Sequence, residues 1–109
     1  MDINKLKEKY LPMTETAYYI LLSLNEPMHG YRIMQHVEEI TKGRVRLGAG
    51  TMYGSLSKME KDDLIIPVAE EERRKIYKLS DRGEKLIELE MERLNELLLN
   101  GKNEMGDTK

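Results

Sequence analysis

The sequence predicts a mostly α-helical protein with one small β-hairpin, a winged helix-turn-helix followed by a long C-terminal dimerisation helix. Apolar residues recur at helical spacing in three short segments between residues 14 and 62. Two strand-like runs then flank the acidic Ala69-Glu70-Glu71-Glu72. Finally, one segment opening at Ser80 carries Ile87, Met91, Leu94 and Leu98 at spacings of four, three and four.

Taken in order, residues 1–13 form a lead-in arm in which Ile3, Leu6 and Tyr10 fall near helical spacing. Thr14 caps a helix over 14–25 with Ala17, Ile20, Leu21 and Leu24 inward and a second stripe, Tyr18 and Leu22, on another face. Pro27 breaks the chain, and a helix over 29–41 puts Ile33, Val37 and Ile40 inward, with His29 placed to cap it. Lys42 to Gly50 holds three glycines and cannot be helix interior; within it Arg44-Val45-Arg46-Leu47 alternates like a short strand that would pair with the hairpin. The reading helix covers 51–62 with Met52, Leu56 and Met59 inward. Leu64 to Val68 and Arg73 to Leu79 are the strands, residues 69–72 the loop between them, and Pro67 confines its strand to an edge. Ser80 caps a helix over 80–100 that Asn100-Gly101 stops, leaving a disordered tail over 101–109. Residues 14–79 are thus the expected DNA-binding unit.

Composition narrows the function classes. A chain of 109 residues has room for one domain. Such a domain buries roughly two-thirds of its unfolded surface, too little for a deep catalytic cavity. The lack of cysteine removes disulfides, thiolate zinc sites, iron–sulfur clusters and cysteine nucleophiles together. His29 and His36 are seven apart and form no compact ligand pair, and no nucleophile elbow or phosphate loop is present. An enzyme, a metal and a cofactor are therefore not expected. No apolar run approaches ~18 residues, and the first residues contain no apolar signal region, so a cytoplasmic protein is expected.

The net charge of −2 hides an uneven distribution. Residues 29–61 carry six Lys/Arg against three acids, 73–78 add four bases and no acid, and 81–96 reverse the balance with six acids against three bases. Polyanions respond to the local field, so the basic middle outweighs the sum. With its core stripe inward, the reading helix turns Thr51, Gly54 and Lys58 outward and holds Tyr53 and Ser55 on its flanks. Small, hydroxyl-bearing and basic residues suit entry into a major groove. A mid-helix glycine costs ~1 kcal/mol relative to alanine. Either a close approach to DNA or the packing of another helix would explain Gly54. Arg73, Arg74 and Lys75 of the hairpin would hold the DNA backbone, unless they form a salt-bridge ladder with Glu70, Glu71 and Glu72. Tyr31 and Arg46 are further DNA-contact candidates.

The apolar stripe of the last helix is too long for the small body beneath it. Ile87, Met91, Leu94 and Leu98, with Tyr18 and Leu22, predict a homodimer through the terminal helices. Two-fold symmetry would then set two reading helices about 34 Å apart on a palindromic site.

The stretches Thr14-Glu15-Thr16-Ala17-Tyr18-Tyr19-Ile20-Leu21, Pro27-Met28-His29-Gly30-Tyr31, Gly50-Thr51-Met52-Tyr53-Gly54-Ser55-Leu56 and Arg74-Lys75-Ile76-Tyr77-Lys78-Leu79 resemble, in order, the PadR family of bacterial transcriptional regulators. The resemblance covers about residues 10–95 and implies a winged-helix dimer with interlocked terminal helices, repressing genes until a small effector binds. The length is similar to the short subfamily with one C-terminal helix, whose multidrug sensors stack flat drugs between tryptophans. This chain has no Trp and no Phe. Its pocket for a small hydrophobic effector would be lined by Leu, Ile, Met and Tyr18. Where the family has a glycine after the reading helix, this chain has Asp63, a residue that tolerates a left-handed backbone. The expected partners are double-stranded DNA, a second copy and such an effector. The competing class is a winged-helix module that binds protein and no DNA, suggested by the acidic wing and the net negative charge.

Overall fold

The computed structural model describes residues 2–106. Helix starts follow the side chains that can satisfy free N–H groups. The Asp2 carboxylate accepts from the Lys5 N–H at 2.9 Å and opens α1 (Ile3–Tyr10). Thr14 Oγ1 accepts from Ala17 N–H at 3.1 Å and opens α2 (Glu15–Ser23). His29 Nδ1 accepts from Arg32 N–H at 3.1 Å and opens α3 (Gly30–Ile40), the role its position suggested. Helix α4 (Ala49–Lys61) begins at Gly48 without a side-chain cap. Ser80 Oγ accepts from Gly83 N–H at 3.1 Å and opens α5 (Asp81–Met105).

Between α4 and α5 the strands β1 (Ile65–Glu71) and β2 (Arg74–Leu79) form an antiparallel hairpin. The chain leaves α4 through Asp63, whose φ of 59° is left-handed as expected for the residue in place of glycine. Leu64 N–H then reaches back to Met59 O and Asp63 N–H to Glu60 O, the paired bonds of a Schellman turn. Leu6, Ile20, Leu21, Leu24, Ile33, Met52, Leu56, Leu64 and Leu86 meet in one core. Two close approaches fix its geometry. A Cβ on Gly30 would stand 2.7 Å from Met52 Cε and 2.8 Å from Tyr53 Cε1, so α3 starts hard against α4. A Cβ on Gly83 would land on the Leu64 carbonyl, so α5 starts on the backbone that leads into β1.

Four expectations are corrected. First, Arg44 to Leu47 is not a strand; the segment that joins the hairpin is Met28, whose N–H and C=O each bond Tyr77 at 3.1 Å. Second, Glu70 and Glu71 belong to β1 rather than a loop, opposite Lys75 and Arg74, and the turn is Glu72-Arg73 with φ of 49° and 67°. Third, Asn100-Gly101 does not stop α5, which runs to Met105 and ends at left-handed Gly106 with φ 79°. Residues 101–105 are therefore helix rather than tail, and 107–109 lie outside the described residues. Fourth, Ile40 is 46% exposed because α3 is ending there, while Ile33 and Val37 carry its core face.

Two buried carboxylates anchor the lead-in segment, one at α1 and one at the link from α1 to α2. Tyr10 Oη donates to Asp62 Oδ2 at 2.6 Å, and Lys9 Nζ stands 2.8 Å from the same oxygen. Burial pushes the Asp62 carboxyl up, but the Lys9 and Tyr10 hydrogen bonds outweigh it and hold the group below its ordinary range. Burial and the Asp62 carboxylate together raise the Tyr10 hydroxyl well above its usual value. At the other end of the link, Glu90 is 1% exposed and accepts from Met13 N–H at 2.8 Å and from Arg93 Nε at 2.6 Å. The Arg93 hydrogen bond leads in holding the Glu90 carboxyl down.

Candidate nucleic-acid interface

Helix α4 rests on Met52, Leu56 and Met59, all buried. Its step of 100° per residue then orders the remaining positions. Thr51, Ser55 and Lys58 run down one flank, Tyr53 and Glu60 down the opposite flank, and Gly54 and Lys61 face outward between them. Thr51, Tyr53, Gly54 and Lys58 are exposed and Ser55 is half-buried. Among the described residues, no atom beyond the glycine's chain neighbours and its own helix backbone lies within 4 Å of a Cβ built on Gly54, nor on Gly48 or Gly50. Packing of another helix within the protomer therefore does not explain Gly54. Gly48 offers no side-chain cap to α4, whose first-turn N–H groups point where an anion would be stabilised by the helix end.

The wing contributes Arg73 at its turn and Arg74 and Lys75 at the start of β2, all exposed. Arg73 was expected inside the strand; its left-handed backbone places it at the tip instead. Tyr31, 51% exposed near the start of α3, lies under Arg74, whose guanidinium carbon is 5.5 Å from the ring centre. Glu60 anchors the wing to α4, accepting from Tyr77 Oη at 3.1 Å with Lys75 Nζ at 3.8 Å. Burial and the Glu60 hydrogen bond raise the Tyr77 hydroxyl. A salt-bridge ladder along the wing is not formed among the described residues: the ion pair within 4.0 Å that involves its bases is Lys75–Glu60. Sequence reasoning gave Glu60 no anchoring role, although it is the one carboxylate within α4.

Arg46 stands apart from this face in the link before α4. Its Nε is 3.3 Å from Glu38 Oε1, so part of its charge is answered within the protein. The structure thus brings Tyr31, the α4 residues and the wing bases together around α3 and α4, while Arg46 is paired with Glu38 of α3.

The terminal helices present a different surface. Ile87, expected in the dimer stripe, is 4% exposed and belongs to the protomer's own core, because the first turns of α5 pack against α2 and β2. Beyond Glu90 the helix leaves the body, and Met91, Leu94, Leu97, Leu98, Leu99 and Met105 are exposed. Tyr18 and Leu22 are half-buried on α2. They line two shallow grooves along α5, Leu22 with Ile87 and Met91, and Tyr18 with Met13 and Leu94. Among the described residues no helix is long and apolar enough to cross a membrane.

Comparison with known proteins bears on this geometry. A family model for the transcriptional regulator PadR-like family matches residues 19–89. The fold is similar to a transcriptional regulator from Clostridium thermocellum, with 24% identity, 89% of this chain and 96% of that one covered, and a TM-score of 0.68. It is also similar to a PadR family transcription regulator from hypervirulent Clostridium difficile, at 26% identity over 82% of this chain and 96% of that one, TM-score 0.65. A PadR-like transcription factor from Bacteroides fragilis is 28% identical, covers 91% of this chain and 98% of its own, and has a TM-score of 0.62. Among curated proteins, an uncharacterized 37.1 kDa protein in transposon TN4556 of Streptomyces fradiae is 36% identical over 64 residues. That match covers 59% of this chain but only 18% of the transposon protein.

Proposed function

The chain belongs to the transcriptional regulator PadR-like family, and from that premise we propose that it is a homodimeric repressor that reads a palindromic operator. Residues 14–79 form the reading unit and the helix from residue 80 onward the dimerisation element. Thr51, Tyr53, Gly54, Ser55 and Lys58 approach base edges and phosphates in the major groove. Arg73, Arg74 and Lys75 hold the flanking backbone with Tyr31, and Arg46 contributes charge at the edge. One observation carries this reading: the outward face of α4 is small, polar and basic, and nothing among the described residues covers Gly54.

The dimer forms through the exposed stripe of α5 with Tyr18 and Leu22 of α2. A small hydrophobic effector fits the grooves between these helices, where it would change the angle between protomers and so the spacing of the two reading helices. The response is limited by its differential affinity for the two spacings.

The test is fluorescence anisotropy of a duplex from the gene's own promoter, titrated at several salt concentrations. Binding that weakens linearly in log–log form as salt rises supports the reading. No affinity at low salt overturns it and favours a winged-helix module that binds protein instead. The three acids Glu70, Glu71 and Glu72, which offset the charge of Arg73, Arg74 and Lys75 on the wing, are the feature that favours that alternative.

A further inference from the structure

A hollow lies between α1, α2 and α4, on the Thr51–Ser55–Lys58 flank of the reading helix. Lys9 and Lys58 share one aromatic plate there. Lys58 Nζ is 5.1 Å from the centre of the Tyr10 ring and Lys9 Nζ is 6.0 Å from it. The plate cannot swing away, because the Tyr10 hydroxyl is committed to Asp62 at 2.6 Å. Thr14 and Ser55 bring hydroxyls to a lining that also includes Pro12, Ala17 and Met59. Thr14 Oγ1 accepts from Ala17 N–H, which leaves the hydroxyl its proton to donate.

Charge in the hollow is layered. Asp62 is 6% exposed and lies beneath Lys9, while the two ammonium groups stand nearer solvent, with the Lys9 side chain 36% exposed. Two cations over one buried carboxylate leave a net positive mouth rimmed by hydroxyl donors. Lysine acts as a point charge toward a tetrahedral oxyanion, and a hydroxyl supplies direction.

We propose that this hollow seats a backbone phosphate of the bound duplex, making α1 a third DNA-contacting element beside α4 and the wing, with Lys9 and Thr14 as contacts beyond those already assigned. The inference rests on the reading of α4 as a duplex-facing helix. The same Thr51–Ser55–Lys58 flank that enters the groove continues into the hollow, so a strand followed outward from α4 meets Lys9 next. On the opposite flank the wing plays the matching part, and the duplex backbone is gripped on both sides of the reading helix.

The experiment compares wild type with Lys9→Gln and Lys9→Arg by anisotropy across a salt series, with melting temperature recorded for each. Lys9→Gln is expected to weaken binding and to lower the salt slope by about one, and Lys9→Arg to restore the slope. In parallel, wild-type protein is treated with an amine-acetylating reagent with and without the duplex. Lys9 is expected to be protected by DNA while Lys85 on α5 stays reactive. An unchanged slope in a folded Lys9→Gln, or equal acetylation of Lys9 with and without duplex, would overturn the proposal and leave Lys9 as a tie between α1 and α4. The acetylation arm decides the matter if Lys9→Gln does not fold. Failure of wild type to bind any duplex would instead remove the DNA-binding reading itself.

Discussion

The Arg74 guanidinium carbon lies 5.5 Å from the centre of the Tyr31 ring, joining the wing to the start of α3 by a cation–π contact. This contact holds an arginine that would otherwise sample many rotamers, and it does so beside the face that carries the α4 residues. Tyr31→Ala should lower duplex affinity about two- to fivefold, the scale of an exposed pair worth ~0.5–1 kcal/mol. Tyr31→Phe, which keeps the ring, should remain near wild type. Arg74→Ala should cost more, and should also lower the salt slope by about one. Anisotropy at two salt concentrations checks all three.

Gly54 separates folding from function. A Cβ there meets nothing within 4 Å, so Gly54→Ala should stabilise the protein by about 0.5–1 kcal/mol through helix propensity. The same methyl group stands where the duplex would approach, and affinity should fall. A higher melting temperature combined with weaker binding is the expected outcome. Gly30→Ala is the contrasting variant, destabilising because its Cβ would crowd Met52 and Tyr53.

Glu90 should govern part of the acid sensitivity. Its carboxyl titrates below the ordinary value of 4.5, held down chiefly by Arg93. A group depressed in the folded state adds stability that is fully present above its unfolded pKa and lost as pH falls through the folded one. Asp62, depressed from 3.8, acts in the same direction at slightly lower pH. Thermal stability should therefore fall as the solution is acidified below about pH 4.5. Glu90→Gln should lower stability at neutral pH by about 2 kcal/mol, because its hydrogen bonds with Met13 and Arg93 are weakened in a buried site. The variant should also show a shallower acid loss, measured by melting temperature against pH.

The α5 stripe Met91, Leu94, Leu98, Gly101 and Met105 alternates steps of three and four, the spacing of a helix seam. Leu94→Glu and Leu98→Glu place a carboxylate twice in a two-fold interface, once from each copy. Each should raise the dimer dissociation constant about a hundredfold or more. Analytical ultracentrifugation checks this, and far-UV circular dichroism should report an intact fold, since both side chains are exposed in the protomer.

What the sequence made legible was local. Thr14, His29 and Ser80 cap helices because their side chains reach N–H groups three residues on, a relation visible in one dimension. Met52, Leu56 and Met59 announced the buried face of α4 by spacing alone. What stayed hidden depended on partners distant in the chain. Glu70 and Glu71 read as loop because acids are poor strand formers, yet Lys75 and Arg74 opposite them make the strand tolerable. Met28 gave no strand signal, since it joins the hairpin by two bonds to Tyr77 rather than by a run of residues. Gly101 looked like a stop, but an isolated glycine costs only ~1 kcal/mol in a helix, and α5 continues to Gly106, whose backbone actually turns left-handed. The Lys9–Tyr10–Lys58 cluster was invisible for the same reason, as 48 positions separate Tyr10 from Lys58.

Light scattering on the protein eluting alone and with a duplex from its own promoter joins the two halves of the mechanism, pairing and DNA reading. The expected free particle has twice the 12.7 kDa of one chain, and the complex holds two chains on one duplex. A 12.7 kDa particle that leaves the duplex unshifted at low salt would contradict it.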